Sequence, residues 1–409
     1  MSEYYRKKYV DELLLLKDKK YIKVLTGIRR SGKSTILKQF KNKISDDFQI
    51  EESRIFEYNF NKPKFEKYTY MQLYNEIIEK ADKDEINYVF LDEIQEIKEW
   101  EKCVIGLYEE DKIRFDIYIT GSNSKMLSSE LSTLLTGRHR DIHVMPLSFK
   151  EFNEITKEKN FIKDFYKYAE LGGLGIIIQN INEPNEAKKD LAMVLKDTIK
   201  KDVRKKHHNS SSILIDKTIK YALSNIGISI SSHKIADKIN KSENKKISHL
   251  PFFNYLKWGC DAMILYRIDY YNNKTNTILT TSGKYYAGDL GLLNSVVGYS
   301  ENTLGYKLEN IVLLQLISLG WDVYTLKMYQ KKKDDKEVDF VIRKGSVIKY
   351  IQVTHTLTDK NKGREVGNLI SIKDGHEKII ILISDESSYS NDGIRRIDLI
   401  RWLNEEIVI

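Results

Sequence analysis

Eight residues near the start of the chain, Gly27-Ile28-Arg29-Arg30-Ser31-Gly32-Lys33-Ser34, have the types and spacing that hold a nucleoside triphosphate. They fit G-x-x-x-x-G-K-[ST]. In that pattern the glycines let backbone N–H groups turn inward around the phosphates, Lys33 reaches the β- and γ-phosphates, and the Ser34 hydroxyl ligates Mg²⁺. The apolar run from Tyr21 to Thr26 before them reads as a strand. Thr35 and the residues after it read as a helix whose N-terminus faces the anion. A second motif, Asn87-Tyr88-Val89-Phe90-Leu91-Asp92-Glu93, is an apolar run ending in two carboxylates. On a buried parallel strand, that end opens onto the ligand crevice. Asp92 there can hold Mg²⁺ together with Ser34, and Glu93 can orient or deprotonate an attacking water. The same Asp-Glu pair can also serve simply to cap a helix running from Ile94.

A third apolar strand, Phe115 to Thr120, leads into Gly121-Ser122-Asn123. Neighbouring strands of such a sheet end on one edge, so Ser122 or Asn123 can contact the γ-phosphate or the water; an ordinary polar turn is the alternative. Arg138 can stabilise charge on the transferring phosphoryl group, in cis or towards a neighbouring subunit, and Arg29 and Arg30 within the loop can do the same. Each of these arginines can equally be solvated or structural. No N-K-x-D guanine reader stands in the expected place, which leaves ATP as the expected nucleotide.

The elements that must position these residues alternate. Strands are expected near 21–26, 54–60, 87–92, 115–120 and 141–145, and helices near 33–45, 70–83, 97–111 and 124–135. Alternation of this kind specifies an α/β fold with a parallel sheet. Beyond it, helix is expected over 149–168 and 176–208, the second run ending in the basic cluster Lys200 to His208. Three helix-like segments follow, 212–225, 231–241 and 249–264, and then a hairpin over 266–279. Three helices and a hairpin suggest a winged helix, a module that serves DNA grooves and protein partners alike.

The phosphate loop resembles that of AAA-like ATPases of the AAA_14 type. So do residues 90–100, Thr120-Gly121-Ser122-Asn123-Ser124, Leu135-Thr136-Gly137-Arg138 and the run from Pro146 to Phe152. In that family a domain called DUF4143 follows the ATPase core, and the runs 284–292 and 305–310 resemble it. The family commonly has a proline where this chain has Gly175, after Gly172-Gly173-Leu174. The C-terminal part resembles a restriction-endonuclease-like domain of the PD-(D/E)xK type, with Glu309 on a helix and Asp339 on a strand. Its E-x-K element here reads Gln352-Val353-Thr354. A neutral amide is a poorer metal ligand than a carboxylate and the lysine is absent, so a fold inactive for cleavage is expected.

The resemblance implies a P-loop core over 1–150, a helical and winged-helix-like region over 151–280 and the nuclease-like domain over 281–409. The expected function is an ATP-binding and ATP-hydrolysing molecular switch using ATP and Mg²⁺. The alternatives are a nucleic-acid-binding or nuclease effector gated by ATP, and an ATP-dependent assembly module. DNA and another polypeptide are the candidate partners. A net charge of +8 permits nucleic-acid contact without requiring it. Cys103 and Cys260 are the only cysteines, which excludes a disulfide scaffold. No apolar run reaches the roughly 18–20 residues that span a bilayer, and the first residues lack an apolar signal segment, so a cytoplasmic protein is expected.

Overall fold

The computed structural model describes residues 4–121, 137–156, 160–205, 207, 209–244, 246–273, 275, 277–300, 303–328, 336–383 and 393–409. The chain divides into two compact units: residues 1–145 with 261–263, and residues 146–260 with 264–409.

In the first unit, β1 (Ile22–Thr26), β2 (Ile55–Asn59), β3 (Ile86–Asp92), β4 (Arg114–Gly121) and β5 (His139–His143) form one sheet. Its order is β2-β3-β4-β1-β5 and every pair is parallel. The apolar strands alternate between two cores. Ile22, Val24, Val89, Leu91, Ile117 and Ile119 pack with α3 (Tyr70–Lys80) and α4 (Trp100–Glu109). Leu25, Tyr88, Phe90 and Tyr118 pack with α1 (Lys7–Leu16) and α2 (Lys33–Phe48) on the other face. Each fully buried side chain of this size contributes about 1.5–3 kcal/mol. A sheet covered on both faces puts all its free chemistry at its edges, and parallel pairing puts all five carboxyl ends on one edge. The helix expected from 97 begins at Trp100, because Ile94–Glu96 forms a 3₁₀ turn and Glu99 takes a left-handed backbone, φ 57°. The helix expected over 124–135 lies outside the described residues.

The second unit opens with α5 (Phe149–Thr156) and α6 (Phe161–Leu171) where one helix was expected. Asn160 restarts the helix by accepting the Ile162 and Lys163 N–H groups at 3.1 Å. In the run expected to be helical over 176–208, a 3₁₀ stretch covers Gly175–Asn180, α7 (Pro184–Thr198) starts on a proline, and Ile199–Arg204 is π-helical. Then come α8 (Ser212–Leu223), β6 (Ser229–Ile230), α9 (Ser232–Glu243), α10 (Leu250–Asp261), β7 (Leu265–Asn272) and β8 (Thr277–Ala287). The chain continues through α11 (Leu290–Val297), α12 (Leu304–Ser318), β9 (Asp322–Met328), β10 (Lys336–Lys344), β11 (Val347–Val353) and α13 (Asp359–Ile370) to β12 (Glu377–Leu382), β13 (Arg395–Asp398) and α14 (Leu399–Leu403). The strands form a mixed sheet in the order β13-β12-β11-β10-β9-β7-β8-β6. β7 and β9 join its two halves in parallel at Tyr270 and Thr325.

Three of the sequence motifs meet in this unit. Gly173 lies so close to Leu147 that an added Cβ would stand 2.2 Å from the Leu147 carbonyl oxygen. The Leu147 N–H donates to the Gly173 carbonyl at 2.6 Å. The buried Asp289 carboxylate caps α11 by accepting the Gly291 and Leu292 N–H groups, and it also accepts the Gly173 N–H at 2.7 Å. Among the described residues no helix is long and apolar enough to cross a membrane.

Candidate nucleotide site

Gly27 to Ser34 link the carboxyl end of β1 to the first turn of α2, so the loop lies on the open edge of the sheet. Gly27 is fixed by crowding: a Cβ there would stand 2.3 Å from the Val144 carbonyl oxygen. Gly32, the residue before α2, has φ 101°, a conformation that favours glycine. Arg30 also takes a left-handed backbone, φ 71°, and is exposed, while Arg29 is half-buried. Ile28 is buried and Thr35 half-buried in the first turn of the helix.

Lys33 is 4% exposed, and its ammonium folds back over the loop, donating to the Gly27 carbonyl at 2.9 Å and the Ile28 carbonyl at 3.3 Å. The Ser34 hydroxyl donates to Asp92 Oδ1 at 2.9 Å. The loop and the end of β3, 58 residues apart in sequence, thus meet at the two groups expected to share a cation. Asp92 is held from two further sides: Asn59 at the end of β2 donates to Oδ2 at 2.7 Å, and Thr120 on β4 donates to Oδ1 at 2.6 Å. Strand β4 lies between β1 and β3, which places Thr120 at the gap between loop and carboxylate. The Thr120 oxygen also accepts the Glu93 N–H at 2.9 Å. Glu93 is buried with φ 57° and ψ 44°. A left-handed backbone at a glutamate costs about 1 kcal/mol or more and persists only where its surroundings impose it. Gln95 donates to its Oε2.

The residues fit a triphosphate and its cation. The loop is a cradle that a Cβ at Gly27 would fill, and the buried Ser31 and Thr26 hydroxyls beside it lack hydrogen-bond partners. Ser34 and Asp92 supply the hard oxygen donors that Mg²⁺ takes.

Arg138 lies elsewhere. It stands at the amino end of β5, where its carbonyl accepts the Ile22 N–H at 2.8 Å, and its guanidinium pairs with Glu109 at 2.7 Å. The length of β5 separates it from the loop edge, about 16 Å at strand rise. Ser122 and Asn123 lie outside the described residues.

Sequence reasoning assigned no role to Arg6, Asn59, Gln95, Thr120 or His143. Arg6 is 4% exposed and donates to the Ser31 carbonyl of the loop at 2.9 Å and to the Met145 carbonyl at 3.0 Å. It thereby ties the loop to the segment that follows β5. His143 ends β5 opposite Thr26. Burial, with the positive charges of Lys33 and Lys8, pushes its imidazole down to about 4.

A family profile described as "AAA domain" matches residues 19–153. An uncharacterized protein of Haemophilus influenzae is 30% identical over 406 residues, which cover 97% of this chain and 98% of that protein. An uncharacterized protein of Methanocaldococcus jannaschii is 34% identical over 376 residues, 87% of this chain and 79% of that protein. This chain belongs to their family. The first unit is an α/β AAA-like P-loop domain, as its sheet and loop require. A second profile, a domain of unknown function called DUF8612, matches residues 162–303, which include the 284–292 motif that pointed to DUF4143 but not the one at 305–310. Among solved structures, a Walker-type ATPase of Pyrococcus abyssi is 15% identical with a TM-score of 0.47, over 72% of this chain and 96% of that one.

Proposed function

We propose that this protein binds ATP with Mg²⁺ and hydrolyses it to ADP and phosphate, acting as a nucleotide-driven switch. The observation that carries the reading is the Ser34–Asp92 contact of 2.9 Å at the mouth of the loop, with Glu93 beside it in a strained backbone. The N–H groups of Gly27 to Thr35 would receive the phosphates at the amino end of α2. Lys33 would exchange the Gly27 and Ile28 carbonyls for β- and γ-phosphate oxygens. Ser34 and Asp92 would hold Mg²⁺, which when bound neutralises charge on the phosphate oxygens. Glu93 would orient the attacking water and accept its proton, and Thr120 would fix the Glu93 backbone while anchoring Asp92. Asn123 is proposed, from its position after β4, to contact the γ-phosphate. Arg138, pointing away from its own loop, is proposed to act only on the site of a neighbouring copy.

We also propose that the rest of the chain combines a winged-helix-like part and a nuclease-like part, with β8 (Thr277–Ala287) shared across the expected boundary near 280. The order α8-β6-α9-α10-β7-β8, with β6 paired to β8, supports the first. For the second, the support is Asp339 on β10 and Gln352 on the adjacent antiparallel β11, followed by α13. Cleavage is not proposed, because Gln352-Val353-Thr354 offers neither carboxylate nor lysine. DNA and a partner polypeptide are the two candidate clients, and the +8 charge favours DNA.

The test is ATP turnover by the full chain with and without duplex DNA, at low and high salt, alongside Lys33→Ala. Turnover lost in Lys33→Ala supports the reading. Turnover equal in both proteins, or absent from the wild type under all conditions, overturns it. Salt-sensitive stimulation by DNA would select DNA as the client.

A further inference from the structure

Strand β2 is an edge of the first unit's sheet and pairs with β3 alone. The Phe60 N–H donates to the Asp92 carbonyl at 3.0 Å, which fixes the sense of the strand before it. By the two-residue period of a strand, Phe56 and Tyr58 turn their N–H and carbonyl groups towards β3, and Ile55, Glu57 and Asn59 turn theirs outward. Two of the outward groups are used at home. The Ile55 N–H donates to the Glu52 carbonyl, and the Asn59 carbonyl accepts the Lys62 N–H at 3.1 Å. Four are left: the Ile55 carbonyl, the Glu57 N–H and carbonyl, and the Asn59 N–H. Among the described residues none of the four has a partner. The strand has neither a proline nor a bulge to blunt this edge. A cleft of about 500 Å³ runs beside it, walled by β2, by Phe65 and Tyr68 and by α3.

This set of four is complementary to itself. Turned about a two-fold axis at Glu57, the Glu57 N–H and carbonyl meet the carbonyl and N–H of the partner's Glu57. Each Ile55 carbonyl then meets an Asn59 N–H. Antiparallel pairing in that register forms four hydrogen bonds and leaves none of the groups over. The charges select the same occupant. Glu52, five residues before the axis, falls towards the partner's Lys62, five residues after it. Both are exposed, and among the described residues neither has an ion pair within its own chain. At the axis each Glu57 carboxylate is held by a Lys41 ammonium at 2.5 Å, so opposite charges alternate across it. On the other face Phe56 stands opposite the partner's Tyr58, an aromatic cross-strand pair. A copy added in parallel would instead set glutamate against glutamate and lysine against lysine.

We propose that β2 is the contact surface for a second copy of this chain, paired antiparallel about Glu57 so that two five-stranded sheets become one. Asn59 then serves the contact through its N–H and the loop site through its side chain, which donates to Asp92.

The experiment measures the mass of the full chain in solution by sedimentation equilibrium, without nucleotide. A dimer is expected at chain concentrations up to about 100 µM. Glu57→Pro removes an outward N–H at the axis, where an edge strand tolerates proline, and should leave a monomer. Glu52→Lys and Lys62→Glu should each weaken the dimer about tenfold, since the two-fold axis repeats the contact. Combined in one chain, they should restore it to within about threefold of the wild type. A monomeric wild type overturns the proposal and returns the edge to a foreign strand. A dimer that Glu57→Pro leaves intact, or a double variant no tighter than the single ones, also overturns it. Circular dichroism checks the fold of Glu57→Pro; should it be lost, the charge swap decides. ATP turnover plays no part in this measurement, so failure here leaves the nucleotide reading standing.

Discussion

Thr120 shows how much of this site rests on single atoms. Its hydroxyl accepts the Glu93 N–H and donates to Asp92, so one oxygen sets both the strained backbone of one carboxylate and the orientation of the other. His143 carries the residue-scale prediction. Its folded value of about 4 lies below the ordinary 6.5 because the imidazole is buried beside Lys33 and Lys8. Between those values the unfolded chain binds a proton that the folded chain refuses. The stabilising contribution is therefore complete above about pH 6.5 and is lost progressively as pH falls towards 4. Thermal unfolding at pH 7.0 and 4.5 should show a smaller drop in Tm for His143→Gln than for the wild type. Equal drops would show that His143 does not report this burial. The glycines, Lys33, Ser34, Asp92 and Glu93 were legible because the phosphate loop and the strand-end carboxylates each occupy a fixed short spacing. Asn59, Thr120 and His143 were not, because each is one polar residue at the end of a strand. What makes such a residue matter is the neighbouring strand, and neighbours in a sheet are not neighbours in sequence.

At the scale of elements, the loop is held by its own glycines and by a helix that precedes the sheet. The Arg6 guanidinium, just ahead of α1, bridges the Ser31 and Met145 carbonyls, so α1 and the segment after β5 are tied to the loop by one side chain. Arg6→Met keeps the bulk and removes both donors, leaving two buried carbonyls unsatisfied at about 1–3 kcal/mol each. ATP affinity measured by calorimetry should fall about tenfold or more, with the folded first unit retained by circular dichroism. Unchanged affinity would mean that the clamp does not shape the loop. The strands and the first helices stood out in the sequence because apolar runs and 3.6-residue periodicity are local. The breaks in later helices were missed, since Asn160, Pro184 and the π-helical turn at 199–204 interrupt patterns whose apolar spacing continues through them. The convergence of Leu147, Gly173 and Asp289 explains why three separated motifs occur in one chain: each closes a backbone approach the others need.

At the scale of the molecule, the α/β class and the parallel sheet of the first unit followed from alternation alone. The single mixed sheet of the second unit did not. It depends on β7 and β9 pairing at Tyr270 and Thr325, a long-range contact with no local signature, and on β8 running through position 280. The central claim is that the first unit turns ATP over with Glu93 as the water-orienting base. Glu93→Gln tests it most directly, because it removes the proton acceptor while keeping the size of the side chain and the Thr120 contact to its backbone. With labelled ATP and Mg²⁺, the account predicts that this variant binds ATP as the wild type does and retains it uncleaved, turnover falling by about 100-fold or more. Turnover at the wild-type rate in Glu93→Gln would contradict it.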